Sequence, residues 1–242
     1  MIGRKLNDMF PSIEREPGEV LLDVQDLSGP VPQDVSFTLH RGEILGIAGL
    51  VGAGRSESIR ALFGMEDAEE GIIRLADGRE VSVTYLNPRR ALKMGIDLMS
   101  ENRNAEGLAL NMSVAHNMTL SSLREFAGLG GWGLLSLKKE KQVVRNWIDR
   151  VEIQCQGPEQ RISGLSGGNQ QKVALARILE TGSDIILLDE PTKGIDVGTK
   201  VQIYRLMGEL ASEGKGIVFV SSYLPELLGV SDRLAVMHQG RM

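Results

Sequence analysis

The sequence predicts an α/β fold with a mainly parallel sheet, an antiparallel β subdomain and an inserted helical subdomain. Apolar strands alternate with helices over residues 185–237, as in a parallel sheet covered on both faces. The pair Asp77-Gly78 lies between two short strand patterns and is typical of a hairpin turn. Over residues 101–160 the pattern changes to helices and a glycine-rich loop, which we interpret as the insertion.

The first strands are predicted at Val20–Val24, Val35–Leu39 and Glu43–Ala48. The third is almost continuously apolar, as a buried parallel strand is. It leads into a glycine loop, Gly49–Gly54, and then into a short helix, Ser56–Phe63. Gly64 follows directly and is predicted to end that helix.

Next come the two arms of the hairpin, Gly71–Leu75 and Arg79–Val83. Asn87-Pro88 predicts a helix start, with Asn as the N-cap and Pro in the first helical position. Ile96–Met99 is a short apolar strand.

The insertion contains a glycine-rich loop, Gly128–Gly133, and a helix that begins near Lys138. The apolar face of this helix consists of Val143, Val144, Trp147, Ile148 and Val151. The remaining elements are predicted at Ile185–Leu188, 199–212, Ile217–Ser221, 225–229 and Leu234–Met237.

Composition excludes several classes of protein. The net charge is −5 over 242 residues, so nothing indicates a nucleic-acid surface. The single cysteine, Cys155, fits a reducing compartment, and no apolar run approaches the length of a membrane span. Arg4, Lys5 and Asp8 lie where a signal peptide needs an apolar region. We expect a soluble, cytoplasmic chain whose ends are cut from a longer protein, with residues 1–19 as a linker.

The glycine loop matches a phosphate-binding motif at all but one position. Gly49, Gly52 and Gly54 allow the backbone N–H groups to wrap around phosphate oxygens, and Ser56 is a candidate Mg²⁺ ligand. Arg55 replaces the lysine of the motif, and a planar guanidinium does not occupy the pose of a compact ammonium. The alternative is a glycine turn that binds nothing.

Two carboxylates, Asp189-Glu190, follow an apolar strand. In phosphoryl transfer one such group holds Mg²⁺ and the next polarises the attacking water. A strand that simply ends at solvent is the alternative. A third motif, Leu165-Ser166-Gly167-Gly168, precedes an amphipathic helix and is suited to binding a phosphate at the helix N-terminus. An ordinary capped helix is the alternative for this pattern.

Together these motifs resemble the ABC ATPase family over residues 20–242. They are most similar to the second cassette of bacterial tandem-cassette sugar importers of the ribose, galactoside and xylose type. The segments that carry this likeness are Gly49–Glu57, Ser100–Arg103, Leu165–Val173 and Glu190–Gly198. The resemblance implies a P-loop NTPase (RecA-like) core at 20–100 and 161–242, a helical subdomain at 101–160, and a linker at 1–19 from a first cassette upstream.

The resemblance also implies site residues. ATP phosphates are assigned to Gly49, Gly52, Ala53, Gly54, Arg55, Ser56 and Glu57, and those of the partner cassette to Ser166, Gly167 and Gly168. Mg²⁺ is assigned to Ser56, Asp189 and Glu101, and catalysis to Glu190 and Tyr223.

Several positions depart from the family pattern. Arg55 stands in place of Lys, Glu101 in place of a Mg²⁺-sensing Gln, and Tyr223 where a His contacts the γ-phosphate. Residues 26–34 lack the aromatic that stacks on adenine, whereas the segment at 165–172 and Glu190 match. We therefore expect this site to bind ATP and hydrolyse it poorly, while residues 165–172 complete the partner's site.

The expected function is energy coupling for monosaccharide uptake at the cytoplasmic face of the bacterial inner membrane. The implied partners are the first cassette of the same chain, transmembrane permease subunits and, indirectly, a periplasmic sugar-binding protein. Residues near Glu101–Gly107, with Arg103 and Asn104, are candidates for permease contact. The alternatives are a non-hydrolysing nucleotide-binding scaffold and a non-transport ABC protein acting on DNA or ribosomes. The second alternative predicts basic patches or coiled-coil insertions, and the sequence has neither.

Overall fold

The computed structural model describes residues 10–11, 15–102, 106–128 and 133–242. Their contacts form two compact units. The core unit comprises the described residues up to Glu101 together with Ser183–Lys193 and Lys200–Met242, and the helical unit comprises the described residues of Asn102–Gly182 and Gly194–Thr199. The expected helical subdomain ended at residue 160, whereas the helical unit continues to Gly182.

The strands are β1 (Val20–Ser28), β2 (Val35–His40), β3 (Ile44–Gly49), β4 (Glu70–Leu75), β5 (Glu80–Ser82), β6 (Ile96–Met99), β7 (Ile185–Asp189), β8 (Gly216–Val220) and β9 (Arg233–Met237). The helices are α1 (Arg55–Phe63), α2 (Pro88–Lys93), α3 (Val114–Thr119), α4 (Leu137–Arg150), α5 (Gly167–Glu180), α6 (Val197–Ser212) and α7 (Leu224–Val230). Each strand and helix predicted from the sequence is present, with ends that differ by a few residues.

A five-stranded parallel sheet in the order β6-β7-β8-β3-β9 forms the centre of the core unit. Every residue of β7 and β8 is buried, which explains why these strands are continuously apolar in sequence. Because the strands are parallel, the residues that follow β3, β7 and β8 emerge at one edge of the sheet. The fold therefore brings the glycine loop and the carboxylate pair together.

A four-stranded antiparallel sheet in the order β2-β1-β4-β5 belongs to the same unit. The β4–β5 hairpin turns at Gly78, which has φ +85°, as the Asp-Gly pair predicts. Buried residues of both sheets, such as Leu22 and Val218, share one apolar cluster. The predicted antiparallel β subdomain and the α/β core are thus confirmed.

In the helical unit, Val144 of α4 and Val151, the residue that follows this helix, are buried, as the predicted apolar face requires. Trp147, on the same helix, donates its indole N–H to the Glu180 carboxylate of α5. Most of the predicted loop at 128–133 lies outside the described residues, as do Arg103 and Asn104.

The described part of the expected linker lies against the core unit. The ring of Phe10 is 5.5 Å from that of Tyr204, and Arg15 Nε donates to Asp232 Oδ2 at 2.9 Å. Within the described ranges, none of the helices is both long and apolar enough for a membrane span.

Gly64 ends α1 with φ +77°, and a Cβ there would lie 2.5 Å from the Asn87 backbone N. We expect Gly64→Ala to lower the free energy of unfolding by about 2–4 kcal/mol, since backbone strain and a steric clash add. Gly78→Ala is the matched control, because φ is +85° but nothing lies within 4 Å of the added Cβ. It should cost only about 1–2 kcal/mol. Urea unfolding measures both, and equal losses would contradict the packing argument.

Candidate functional site

The glycine loop joins β3 to α1 in the core unit. Gly52 and Gly54 have φ +79° and +97°, a region that glycine adopts without strain. Gly49 approaches the end of β9 closely, since a Cβ there would lie 2.6 Å from the Met237 carbonyl oxygen. Gly54 caps α1 without any side-chain bond, so no side chain of the cap occupies the N–H groups of the first turn. The loop is thus shaped as an anion cradle.

The loop borders a cleft of about 240 Å³. Eight of the predicted site residues line it: Gly52, Ala53, Gly54, Arg55, Ser56, Glu57, Glu101 and Glu190. Val51, Lys193 and Ser222 line it as well, and sequence reasoning did not select them. Gly49 and Asp189 do not line the cleft, although Asp189 accepts a hydrogen bond from Ser56, which does.

Ser56 and Asp189 form a pair at the base of the cleft. Ser56 Oγ donates to Asp189 Oδ1 at 2.8 Å, and Asp189 is almost fully buried. Burial raises the pKa of the Asp189 carboxyl to about 6; the Ser56 hydrogen bond lowers it in part, and the nearby Glu101 and Glu190 raise it further. A hydroxyl and a buried carboxylate are hard oxygen donors, so this pair fits Mg²⁺.

No group of three or more His, Cys, Asp or Glu side chains in the described ranges has the spacing of a metal site.

Arg55 lines the cleft, and its guanidinium is bonded within the protein. Its Nη1 donates to the Ser221 carbonyl oxygen at 2.6 Å, and its Nη2 lies 3.9 Å from Glu190 Oε1. The residue is only 8% exposed. The guanidinium is therefore committed to protein partners, as its planar, fork-shaped group favours.

Glu190 follows β7 in a left-handed backbone conformation, with φ +48°. Its N–H donates to the Val220 carbonyl at 3.0 Å, and its carbonyl accepts from Lys193 N at 3.1 Å. A non-glycine residue in this conformation is strained, and such strain persists where surrounding bonds fix the chain. The conformation turns Glu190 into the cleft while Asp189 stays behind it.

The Glu101 carboxylate is hydrogen-bonded to the Lys193 ammonium. This bond, with the charge of Glu101, raises the pKa of Lys193. Both side chains are substantially exposed, so the pair is a surface ion pair at the rim of the cleft.

Tyr223 does not reach the cleft. It is 55% exposed, and the Lys200 ammonium lies 5.9 Å from its ring centroid. Ser222 occupies the position on the cleft wall that the sequence reasoning gave to Tyr223. Ser222 and Tyr223 are neighbours in sequence, and no sequence pattern distinguishes which of them lines the cleft.

The segment at 165–172 opens α5 in the helical unit. Ser166 is the N-cap: its Oγ accepts from Asn169 N at 3.4 Å and from Asn169 Nδ2 at 3.0 Å. Gly168 is buried, and a Cβ there would lie 2.8 Å from Thr199 Oγ1, so only glycine fits. Ser166 is exposed, which leaves the start of the helix accessible to an anion.

Comparison with known proteins identifies this arrangement. The family model described as ABC transporter matches residues 32–193, more than half of the chain. The chain belongs to the ABC transporter family. It is 49% identical over its whole length to a putative ribose/galactose/methyl galactoside import ATP-binding protein of Burkholderia cenocepacia. It is also 45% identical, again over its whole length, to the ribose import ATP-binding protein RbsA of Streptococcus agalactiae.

This ABC chain spans about half the length of these relatives, 46% and 48% respectively. Among solved structures, it is similar to the ATP-binding cassette MJ1267 in its ADP conformation, with TM-score 0.76 and 20% identity over 92% of this chain and 89% of the other. It is equally similar to the post-hydrolysis dimer of MJ0796 bound to ADP and Pi, with 21% identity over 92% and 96% of the two chains. The fold is that of an ABC ATPase cassette.

Proposed function

We propose that this chain is the second ATP-binding cassette of a bacterial monosaccharide importer, and that it couples ATP binding and hydrolysis to transport. The observation that carries the proposal is the cleft itself, where the glycine loop, Ser56 and the two carboxylates meet. The names of the two relatives support sugar import, and the share of each relative that is matched supports a tandem arrangement.

In this proposal the N–H groups of Gly52–Ser56 bind the β- and γ-phosphates at the start of α1. Ser56 and Asp189 hold Mg²⁺, which neutralises phosphate charge when bound. A cation beside the Ser56–Asp189 pair relieves the burial cost that raises the pKa of Asp189. Val31 lies close to the loop, since a Cβ on Gly54 would be 3.2 Å from its Cγ1. It offers the base an apolar contact in place of an aromatic ring.

The proposed site hydrolyses ATP slowly. Phosphoryl transfer depends on charge placed at the γ-phosphate, and Arg55 is bonded to the Ser221 carbonyl instead. Ser222 supplies a neutral hydroxyl to the wall where the family has a histidine, and Glu101 is paired with Lys193. Glu190 retains the position for polarising water. Each misplaced contact costs about 2.7–4 kcal/mol in the transition state, by analogy with loss of one oxyanion donor.

The partner cassette is proposed to depend on Ser166, Gly167 and Gly168, which cap its ATP across a head-to-tail pair. The accessible N-terminus of α5 supports this role. Permease subunits, a periplasmic sugar-binding protein acting through them, and a location on the cytoplasmic face of the inner membrane complete the proposal.

Titration calorimetry with Mg-ATP, with and without the first cassette, tests the binding part. We expect binding to this chain in both cases, and no heat in either case would refute the proposal. The buried Arg55 also favours the alternative of a scaffold that binds nucleotide without hydrolysing it. Steady-state hydrolysis in the tandem protein distinguishes the two: a slow contribution from this site that disappears with Glu190→Gln supports the enzyme, and none supports the scaffold.

A further inference from the structure

Glu226 is a buried carboxylate in the first turn of α7, behind the cleft, and it is only 2% exposed. Nothing in the proposed chemistry uses it. Its Oε2 accepts from Thr192 Oγ1 at 2.7 Å and from Ser221 Oγ at 3.0 Å. Its Oε1 accepts from Lys200 Nζ at 2.7 Å, and the Tyr204 hydroxyl is a further partner. Both carboxylate oxygens therefore have defined donors.

The charge on Glu226 is held in place by these donors. Burial acts to raise its pKa, but the hydrogen bonds from Lys200, Thr192 and Tyr204, with the charge of Lys200, outweigh it and hold the pKa below the usual value. An ionised carboxylate accepts bonds and donates none. The buried hydroxyls around it must therefore point toward it.

Two of these hydroxyls belong to the segments that border the cleft. Thr192 comes two residues after Glu190 and is itself 1% exposed. Ser221 directly follows β8, and its carbonyl oxygen accepts a hydrogen bond from the Arg55 guanidinium at 2.6 Å. Its Oγ, besides donating to Glu226, accepts from Tyr223 N at 3.1 Å and so fixes the turn that presents Ser222.

We propose that Glu226 is a positioning residue that joins the segment after β7 to the turn after β8 and thereby sets the placement of Glu190, Arg55 and Ser222 around the cleft. One carboxylate oxygen bridges two strand ends that are 29 residues apart, from Thr192 to Ser221, without touching the cleft. The role in nucleotide binding rests on the proposed function. The geometric role does not.

Glu226→Gln tests the proposal, because an amide presents an N–H₂ group either to Lys200 or to the two hydroxyls. The matched control is Glu43→Gln: Glu43 is also 2% exposed and accepts from His40 N and Arg233 Nε, both at 2.7 Å, but it does not border the cleft. Both variants lose a buried charge. Only the first should alter the cleft.

The first readout is amide hydrogen exchange without nucleotide, in peptides covering residues 189–193 and 221–224. We expect Glu226→Gln to accelerate exchange in both peptides at once, and Glu43→Gln to leave them unchanged. If exchange in Glu226→Gln matches that of the control, the positioning role is wrong, whatever the chain binds. Should Glu226→Gln fail to fold, Thr192→Val and Ser221→Ala replace it. Each of these variants should accelerate amide exchange in both peptides.

The second readout is Mg-ATP affinity by calorimetry. Glu226→Gln should weaken binding roughly tenfold, the factor expected when a hydrogen bond to a charged group is lost, while Glu43→Gln binds as the wild type does. If Glu226→Gln bound Mg-ATP with wild-type affinity, the proposed effect of Glu226 on nucleotide binding would be wrong, and the geometric role would still be decided by the exchange experiment. Absence of binding in the wild type would overturn the proposed function and, with it, this second consequence, leaving the exchange experiment to decide the geometric role.

Discussion

Ser166→Ala should lower ATP hydrolysis by the tandem protein about 10²–10³-fold, the effect of removing one donor from a site that stabilises developing charge. The reason is that Ser166 is exposed at the N-terminus of α5, where the partner's γ-phosphate is proposed to lie. Its Oγ accepts hydrogen bonds from Asn169, so its hydroxyl proton is available to a phosphate oxygen. Steady-state phosphate release at saturating Mg-ATP measures the effect.

A loss of helix stability must be separated from this loss of a phosphate contact. Ser136→Ala provides the control, because Ser136 is also an exposed N-cap in the helical unit and accepts from Lys139 N at 3.4 Å, the same length as the Ser166–Asn169 N bond. Both variants should lose about 0.5–2 kcal/mol of stability. If Ser136→Ala reduced hydrolysis as much as Ser166→Ala, the signal would come from capping, and the proposed role of Ser166 would be wrong.

Asp189→Asn should have two opposite effects: a more stable chain and a lost magnesium response. Burial raises the pKa of Asp189 to about 6 in the folded chain, against 3.8 for the ordinary group. The folded state therefore binds the proton more tightly, and stability falls as pH rises between these two values. At pH 7 the charge on Asp189 lowers the free energy of unfolding by on the order of 2–3 kcal/mol. An uncharged Asn avoids this loss.

Thermal unfolding without ligand from pH 4 to 7.5 checks the sign. The advantage of Asp189→Asn should be small at pH 4, grow toward pH 6 and then stay constant, at roughly 2–4 °C per kcal/mol. Asp184→Asn, at the exposed position just before the same strand, should bring no such gain. In a separate measurement, added Mg²⁺ should strengthen ATP binding to the wild type and leave the ATP affinity of Asp189→Asn unchanged. A variant that is destabilised at pH 7 would contradict the burial argument.

The fold could be predicted from the sequence because the signals for each strand and helix lie within or next to that element. Strand β7 is apolar throughout since both of its faces are buried. The Asn87 side chain accepts a hydrogen bond from Arg90 N at 3.0 Å, and Pro88 follows directly, as the Asn-Pro pair predicts for a helix start. Gly64 ends α1 because the left-handed φ of +77° at that position favours glycine. Each signal lies within a few residues of the structure it specifies.

The site was predicted only in part, because its decisive contacts join distant residues. Arg55 bonds to a carbonyl 166 positions away, and Glu101 to Lys193 over 92 positions, with no pattern linking either pair. The left-handed backbone of Glu190 and the placement of Ser222 rather than Tyr223 at the cleft depend on the turns after two strands. The division into units likewise depends on packing: α5 follows the predicted boundary at residue 160 but belongs to the helical unit.

We propose that this cassette contributes a phosphate-binding helix to its partner while its own site hydrolyses little ATP. Glu190→Gln in the tandem protein, compared with the same change in the first cassette, tests it most directly, with steady-state hydrolysis as the readout. A general base is worth roughly 10²–10⁴-fold, so we expect a loss of that size from the change in the first cassette and retention of most activity in Glu190→Gln. Equal losses from the two substitutions would contradict the claim.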